Sequence, residues 1–95
     1  MGLVSRVVPD DQLMDTAREL ALEIAVNCAP VSIALTKKML YQFLTATDVE
    51  EVEKINHLYF AYVGTKPDAS EGVVSFLQKR DPKWSLKVPG DLPEF

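Results

Sequence analysis

Residues 48–64 read DVEEVEKINHLYFAYVG, and this stretch predicts an amphipathic helix. Its apolar side chains recur at helical spacing and therefore share one face. These side chains are Val52, Ile55, Tyr59, Tyr62 and Val63. Asp48 with Glu51, or Thr47 with Glu50, fits the capping box that starts a helix. The sequence therefore predicts a central helix that packs one face against a core.

The neighbouring segments predict three further helices. One runs from Asp10 to the break at Pro30, because the residue before a proline is pushed out of the helical region. The next begins at Pro30, which suits a first helical turn, and continues to about Leu44. The last runs from about Asp68 to Arg80. All four helices together cover most of the chain.

Each of these helices carries an apolar face. The first has one stripe, formed by Leu13, Ala17, Leu20, Ala21, Ile24 and Cys28. The second has two stripes, with Val31, Leu35 and Met39 on one and Ile33, Leu40 and Phe43 on the other. The last is expected to turn Val73, Phe76 and Leu77 inward. Two stripes on one helix indicate packing on more than one side, and Gly64 is expected to end the central helix in a left-handed conformation.

The two ends of the chain lack helical periodicity. The segment GLVSRVVP at 2–9 is a β-branched run closed by proline, which predicts one short strand without a partner strand. The segment KWSLKVPGDLPEF at 83–95 is too apolar for free exposure, so we expect an extended tail laid across another surface. The predicted fold is all-α, with about four helices. It comprises a leading strand and linker (1–9), a helical region (10–82) and an extended apolar tail (83–95).

The composition narrows the classes of function. The 95 residues carry 14 acidic and 10 basic side chains, a net charge of −4. This charge disfavours a nucleic-acid binder, which neutralises phosphates with clustered Lys and Arg. No apolar run reaches the roughly 18 residues of a membrane span, and the first residues do not resemble a signal peptide. The single cysteine, Cys28, allows neither an internal disulfide nor a zinc site. We expect an intracellular protein without a nucleic-acid or membrane partner.

Few side chains offer chemistry of their own. His57 stands alone in the central helix, which favours a structural or solvent-facing role over a metal ligand. Cys28 is expected to be a small buried hydrophobe. Acidic side chains at helix starts stabilise the helix dipole or cap the helix, and this explains Glu50, Glu51, Glu53, Asp68 and Glu71. We expect no metal site and no catalytic residue.

The last helix offers the candidate ligand site. Gly72 stands in its first turn, where alanine would be more stable by about 1 kcal/mol, so a close contact with the backbone is expected there. Lys79 and Arg80 stand at its C-terminal end, where cations stabilise the helix dipole. The same two cations can hold an anionic ligand, and spacing alone leaves both explanations open.

Short motifs follow one another in a specific order along the whole chain. They are GLVSRVVP at 2–9, Ala29-Pro30, Lys37, Thr65, Asp68, Glu71-Gly72, Phe76-Leu77, Lys79-Arg80, Pro82, Trp84 and VPGDLP at 88–93. Together they resemble the C-terminal part of the crotonase (enoyl-CoA hydratase/isomerase) superfamily. The resemblance implies a parent enzyme, a lyase or isomerase of fatty-acid metabolism, in the cytoplasm or the mitochondrial matrix of a eukaryote. Such enzymes have a β-α spiral core followed by a helical region that builds trimers or pairs of trimers.

The resemblance also implies what the chain lacks and what it binds. The spiral supplies the oxyanion hole and the catalytic glutamates, so the chain would be a helical oligomerisation region that is inactive alone. The implied substrate is a coenzyme A thioester, with no other cofactor. Lys79 matches the lysine that contacts the nucleotide end of CoA, commonly across a subunit boundary, and Phe76 matches an aromatic beside it. Tyr59 matches an aromatic that lines the acyl pocket, with Tyr in place of the usual Phe. Helix-end charge and core packing are the alternative roles of these residues.

Two functions therefore stay open. The first is a C-terminal segment of an acyl-CoA enzyme that binds CoA and assembles subunits. The second is a free-standing all-α module that binds a protein partner through its apolar face and tail.

Overall fold

The computed structural model describes residues 2–94 and is built of helices. Its four α-helices are α1 (Leu13–Asn27), α2 (Pro30–Gln42), α3 (Val49–Gly64) and α4 (Pro67–Leu77). Single 3₁₀ turns precede α1 at Asp10–Gln12 and follow α2 at Phe43–Thr45. The all-α prediction is confirmed. Met1 and Phe95, which end the predicted leading and tail segments, lie outside the described residues.

The predicted leading strand does not form within residues 2–94. Residues 2–9 have no regular secondary structure, and Leu3 and Val7 are each 92% exposed. A strand is held by hydrogen bonds to a neighbouring strand, and residues 2–94 contain no strand to pair with. The β-branched run therefore has the composition of a strand, but the described residues include no neighbouring strand to pair with it.

Local sequence signals set the helix starts. Asp48 is the N-cap of α3, and its Oδ1 accepts a hydrogen bond from the Glu50 N–H at 3.0 Å. This confirms one of the two starts predicted for the central helix. Pro30 and Pro67 each occupy the first turn of their helix, where the missing N–H has no intrahelical partner to lose.

The left-handed helix end lies at α4 and not at α3. Gly64 is the last helical residue of α3, so its predicted left-handed role is wrong. The Thr65 hydroxyl instead donates to the Tyr62 carbonyl at 2.8 Å and satisfies this helix end. The left-handed residue is Lys79, with φ of 53°, and α4 ends at Leu77, short of the predicted Arg80.

Two backbone hydrogen bonds explain this early end of α4. The Lys79 N–H donates to the Phe76 carbonyl at 3.2 Å, and the Arg80 N–H donates to the Ser75 carbonyl at 3.1 Å. This pair of bonds is the Schellman motif, in which glycine usually takes the left-handed position. Lys79 takes this position with a backbone conformation that residues other than glycine seldom adopt.

The core is small and lies between α2 and α3. Val31 is 1% exposed, Leu35 3% and Tyr59 4%. Partly buried apolar side chains pack around these three, namely Met39, Ile55, Tyr62, Val63, Leu86 and Leu92. The first stripe of α2 and the face of α3 are thus confirmed as core. The tail completes the core through Leu86 and Leu92, as expected of a segment laid across a surface.

Large apolar faces remain outside this core. No side chain of α1 is buried, and Leu40 on the second stripe of α2 is 68% exposed. The predicted inward face of α4 is wrong, since Phe76 is 82% exposed and Leu77 73% exposed. The buried residues of α4 are the polar Asp68 and Ser75. Cys28 is half-buried, less than predicted.

The total exposed surface shows how open this arrangement is. A compact protein of 10.6 kDa exposes about 5,500 Å², whereas this chain exposes 7957 Å². Its radius of gyration is 16.2 Å, against about 12 Å for a compact domain of this length. The difference of about 2,500 Å² is comparable to the area buried in obligate interfaces.

Within residues 2–94 no single helix is long and apolar enough to span a bilayer. The segments Asp10–Asn27 and Pro30–Thr45 pass this test only as a pair, and they are bent by 119° at the break between them.

We predict that two leucines of α2 differ sharply in their contribution to stability. Leu35→Ala should lower the free energy of unfolding by about 2–4 kcal/mol, because it leaves a cavity in the core. Leu40→Ala, the matched control on the exposed stripe, should change it by less than about 0.5 kcal/mol. Urea denaturation followed by circular dichroism measures both. Equal losses would contradict the core described above.

Candidate functional site

A buried carboxylate joins α4 to the tail. Asp68, in the first turn of α4, is 5% exposed. Its Oδ1 accepts hydrogen bonds from the Ser85 N–H at 2.8 Å and the Ser85 hydroxyl at 3.0 Å, and its Oδ2 accepts one from the Leu86 N–H at 3.2 Å. Three donors from the tail therefore satisfy one buried charge, which would otherwise be costly to keep out of water.

A second carboxylate, one turn further along α4, makes a similar set of contacts. The two Glu71 oxygens accept hydrogen bonds from the Arg80 guanidinium, each at 2.8 Å. The Lys83 N–H donates to Glu71 Oε2 at 2.7 Å. The capping box predicted for Asp68 and Glu71 is therefore wrong. Lys66 is the N-cap of α4 without a side-chain cap, and both acids bind the chain that follows the helix.

These contacts hold Glu71 in its charged form. The Arg80 hydrogen bonds, together with that from the Lys83 N–H, lower the pKa of Glu71 from 4.5 to about 2. The same pair raises the pKa of Arg80. Glu71 is therefore fully ionised near neutral pH and acts as a fixed anchor and not as a proton carrier.

The tail makes further contacts beyond α4. We call residues 82–92 the strap. The Trp84 indole N–H donates to the Val26 carbonyl of α1 at 3.1 Å. The Tyr62 hydroxyl donates to the Asp91 carbonyl at 2.7 Å. The strap therefore touches α1, α3 and α4 through hydrogen bonds.

The structure does not show the close backbone contact that would require glycine at position 72, because an alanine Cβ would fit there. The Trp84 ring lies over this glycine, and a Cβ there would stand 3.6 Å from Trp84 Cη2, an ordinary contact distance. Beside this contact is a cleft of about 250 Å³. Its lining is contributed by α1, α4 and the strap, through Asn27, Gly72, Ser75, Phe76, Arg80, Pro82 and Trp84.

Two of the three predicted binding residues lie at one end of α4. Phe76 lines the rim of this cleft and is mostly exposed. Lys79 is exposed in the Schellman turn. Arg80 is engaged by Glu71, whereas no hydrogen bond or ion pair holds the Lys79 ammonium among residues 2–94. Of the two cations that follow α4, Lys79 is thus the one available to an anion.

The third predicted residue lies elsewhere. Tyr59 belongs to the core between α2 and α3 and lines a different cavity, of about 150 Å³. The Lys38 ammonium is 5.8 Å from the centre of its ring. The structure therefore does not bring Tyr59 into the cleft of Phe76.

Other side chains with possible chemistry are dispersed. His57 is exposed on α3, in line with its predicted solvent-facing role. Across residues 2–94, no three His, Cys, Asp or Glu side chains are close enough to hold a metal ion together. The contacts of Trp84, Ser85 and Asp91 were not predicted. The only sequence signal for them was the apolar, proline-containing character of the tail.

A family comparison places these features in context. The family model described as Enoyl-CoA hydratase/isomerase matches residues 1–87. The chain belongs to this family. Carnitinyl-CoA dehydratase from Proteus mirabilis (strain HI4320) is 39% identical over an aligned length of 87 residues, and the match covers 87% of this chain and 33% of that protein. Carnitinyl-CoA dehydratase from Escherichia coli (strain K12) is 40% identical over 87 residues, with the same coverage.

Solved structures of this enoyl-CoA hydratase/isomerase family share the fold. A probable enoyl-CoA hydratase/isomerase from Mycobacterium abscessus has a TM-score of 0.83 and 32% identity, and the match covers 90% of this chain and 34% of that one. An enoyl-CoA hydratase/isomerase from Mycobacterium paratuberculosis has a TM-score of 0.73 and 29% identity, covering 90% of this chain and 33% of that one. The chain thus spans about a third of the length of the relatives it matches.

We predict that Glu71 stabilises the fold in a pH-dependent way. Its pKa is lower in the folded chain, about 2, than the ordinary 4.5. Its contribution is therefore fully present above the ordinary value and is lost as the pH falls from there towards about 2. The difference in unfolding free energy between wild type and Glu71→Gln should shrink across this window.

Chemical denaturation at a series of pH values measures this difference. Glu23→Gln, on the exposed surface of α1, is the matched control and should show no such trend. A wild-type advantage over Glu71→Gln that stayed constant down to the lowest pH would contradict the prediction.

Proposed function

We propose that this chain is the helical C-terminal segment of an acyl-CoA enzyme of the enoyl-CoA hydratase/isomerase family. Its roles would be to assemble subunits, as a trimer or a pair of trimers, and to form one wall of the CoA site. The observation that carries the proposal is the exposed pair of Phe76 and Lys79 at the end of α4, within a chain of this family. The names of the matched carnitinyl-CoA dehydratases support a CoA thioester as the substrate class.

The exposed surface supports the assembly role. The apolar side chains Leu20 and Ile24 of α1 and Leu40 on the second stripe of α2 are exposed in the described structure. Contiguous apolar surface of this extent is typical of interaction sites. Other parts of the same enzyme and neighbouring subunits are the partners that this proposal assigns to these faces.

The end of α4 supports the CoA role. CoA carries phosphates and an adenine ring, and a cation beside an exposed aromatic ring complements both groups. Lys79 provides the cation, since Arg80 is neutralised by Glu71. Phe76 provides the ring, which would be unfavourable in water without a partner. For Tyr59, core packing explains its burial, and a role in the acyl pocket remains a prediction.

The same geometry gives a reason why this segment would be inactive alone. Thioester chemistry of this type needs donors aimed at the developing oxyanion and an acid or base at the substrate. Asp68 and Glu71 are the carboxylates most constrained by their surroundings, because both accept hydrogen bonds from the strap. A group with a pKa near 2 is also a poor general acid or base at neutral pH. We therefore assign catalysis to parts of the enzyme outside this segment. A cytoplasmic location, or the mitochondrial matrix in a eukaryote, belongs to the same proposal.

We predict that the 95-residue chain self-associates in solution, because association would bury its exposed apolar faces. Sedimentation velocity over a wide concentration range should show species larger than a monomer. Ile24→Glu, on the apolar stripe of α1, should weaken the association at least about tenfold, since it would bury a charge. Its neighbour Glu23→Gln is the control and should associate like wild type. A clean monomer at every concentration would contradict the assembly role.

We also predict that CoA protects Lys79 in the full-length enzyme. Acetylation of Lys79, followed by mass spectrometry, should slow several-fold in the presence of CoA, whereas exposed Lys37 on α2 should be unaffected. Lys79→Ala should weaken CoA binding about tenfold or more and leave the assembly unchanged. Lys83→Ala serves as the control.

An unchanged affinity for CoA in Lys79→Ala would remove this residue from the site. If the chain were in addition a stable monomer that did not respond to CoA, the alternative function as a protein-interaction module would be favoured.

A further inference from the structure

The direction of α1 is not set by packing of its own side chains. No side chain of Leu13–Asn27 is buried, and even the stripe residues Leu20 and Ile24 are 45% and 43% exposed. The chain turns through 119° between this helix and the next, at the short break around residues 28 and 29. A helix that emerges from such a break without packing is free to pivot unless another contact holds it.

Trp84 supplies such a contact. Its indole N–H donates to the carbonyl of Val26, 58 residues away in sequence and in the last turn of α1. The last carbonyls of a helix lack intrahelical partners, so this bond satisfies a group that the helix itself leaves open. The ring of the same side chain rests on Gly72 of α4. One side chain thus contacts both α1 and α4.

The strap that carries Trp84 is firmly attached to the rest of the fold. The residue before Trp84, Lys83, is bound through its N–H to Glu71, and the residue after it, Ser85, is bound to Asp68. Both acids belong to α4, so the backbone on either side of the indole is fixed to one rigid helix. When the indole binds the Val26 carbonyl, it therefore ties the last turn of α1 to α4.

We propose that the strap is a latch that sets the direction of α1. Trp84 is the residue of the strap that binds α1. The latch holds the apolar stripe of α1 at one angle to the core. This angle presents the stripe to a partner surface that packs against it. Release of the latch leaves α1 free to pivot about residues 28 and 29. This role concerns the chain by itself and does not depend on the proposed CoA site.

Distances between spin labels on α1 and α3 test the latch. Labels are attached at Arg18→Cys and Lys54→Cys, both exposed, in an Ile24→Glu, Cys28→Ala background, in which association through the apolar stripe of α1 is weakened. The labelled chain is diluted with unlabelled chain, so that only distances within one molecule are measured. Wild type should give a single narrow distribution.

Trp84→Phe keeps an aromatic ring and removes the donor to Val26. The width of the distance distribution should then increase at least about twofold, while the helix content measured by circular dichroism stays the same. Asp68→Asn should broaden it in the same way, since it loosens the strap with the indole intact. Phe60→Leu, an exposed aromatic of α3, is the control and should leave the distribution narrow.

A broad distribution in wild type, or an unchanged narrow one in both latch variants, would overturn the proposal. If Trp84→Phe lost helix content, replacement of Trp84 by 3-benzothienylalanine decides the matter. This residue has the shape of tryptophan without the N–H, so broadening supports the latch and a narrow distribution rejects it.

Discussion

The buried carboxylate of Asp68 is the contact on which the rest of this structure depends. An ionised carboxylate removed from water must be compensated by hydrogen bonds, and within residues 2–94 Asp68 accepts these bonds from Ser85 and Leu86 of the tail. Satisfying this charge forces the tail to cross α4. Leu86 then reaches the core, and Trp84 reaches the end of α1. A polar contact thus positions the apolar ones.

This arrangement also defines the candidate site. Glu71 lies one turn from Asp68 and holds both Arg80 and the start of the strap. Because Arg80 is committed to this pair, Lys79 is left as the exposed cation in the turn that ends α4. Its left-handed backbone directs the chain away from α4 and towards the strap. The site at the end of α4 is therefore a consequence of how the tail is anchored.

The sequence predicted those features that depend on near neighbours. Periodicity identified the faces of α2 and α3, and Asp48 marked the start of α3, because these signals act within a few turns. It failed where the partner is distant. From the sequence alone, Asp68 fits the role of a local helix cap. Its actual partner, Ser85, is 17 residues away and only the fold places the two in contact. The predictions of a leading strand and of an inward apolar face on α4 did not hold for a different reason. Their side chains have the expected pattern, but residues 2–94 contain no partner for them.

Within α4 the distribution of polar and apolar groups is the reverse of the usual one. In α4 the buried residues are Asp68 and Ser75, while Phe76 and Leu77 face solvent. Ordinary domains bury apolar groups first, because this burial is the main source of their stability. A segment that uses polar bonds inside and leaves apolar faces outside gains its remaining stability from whatever covers those faces. Any partner that binds only the folded form of such a segment shifts the folding equilibrium towards that form.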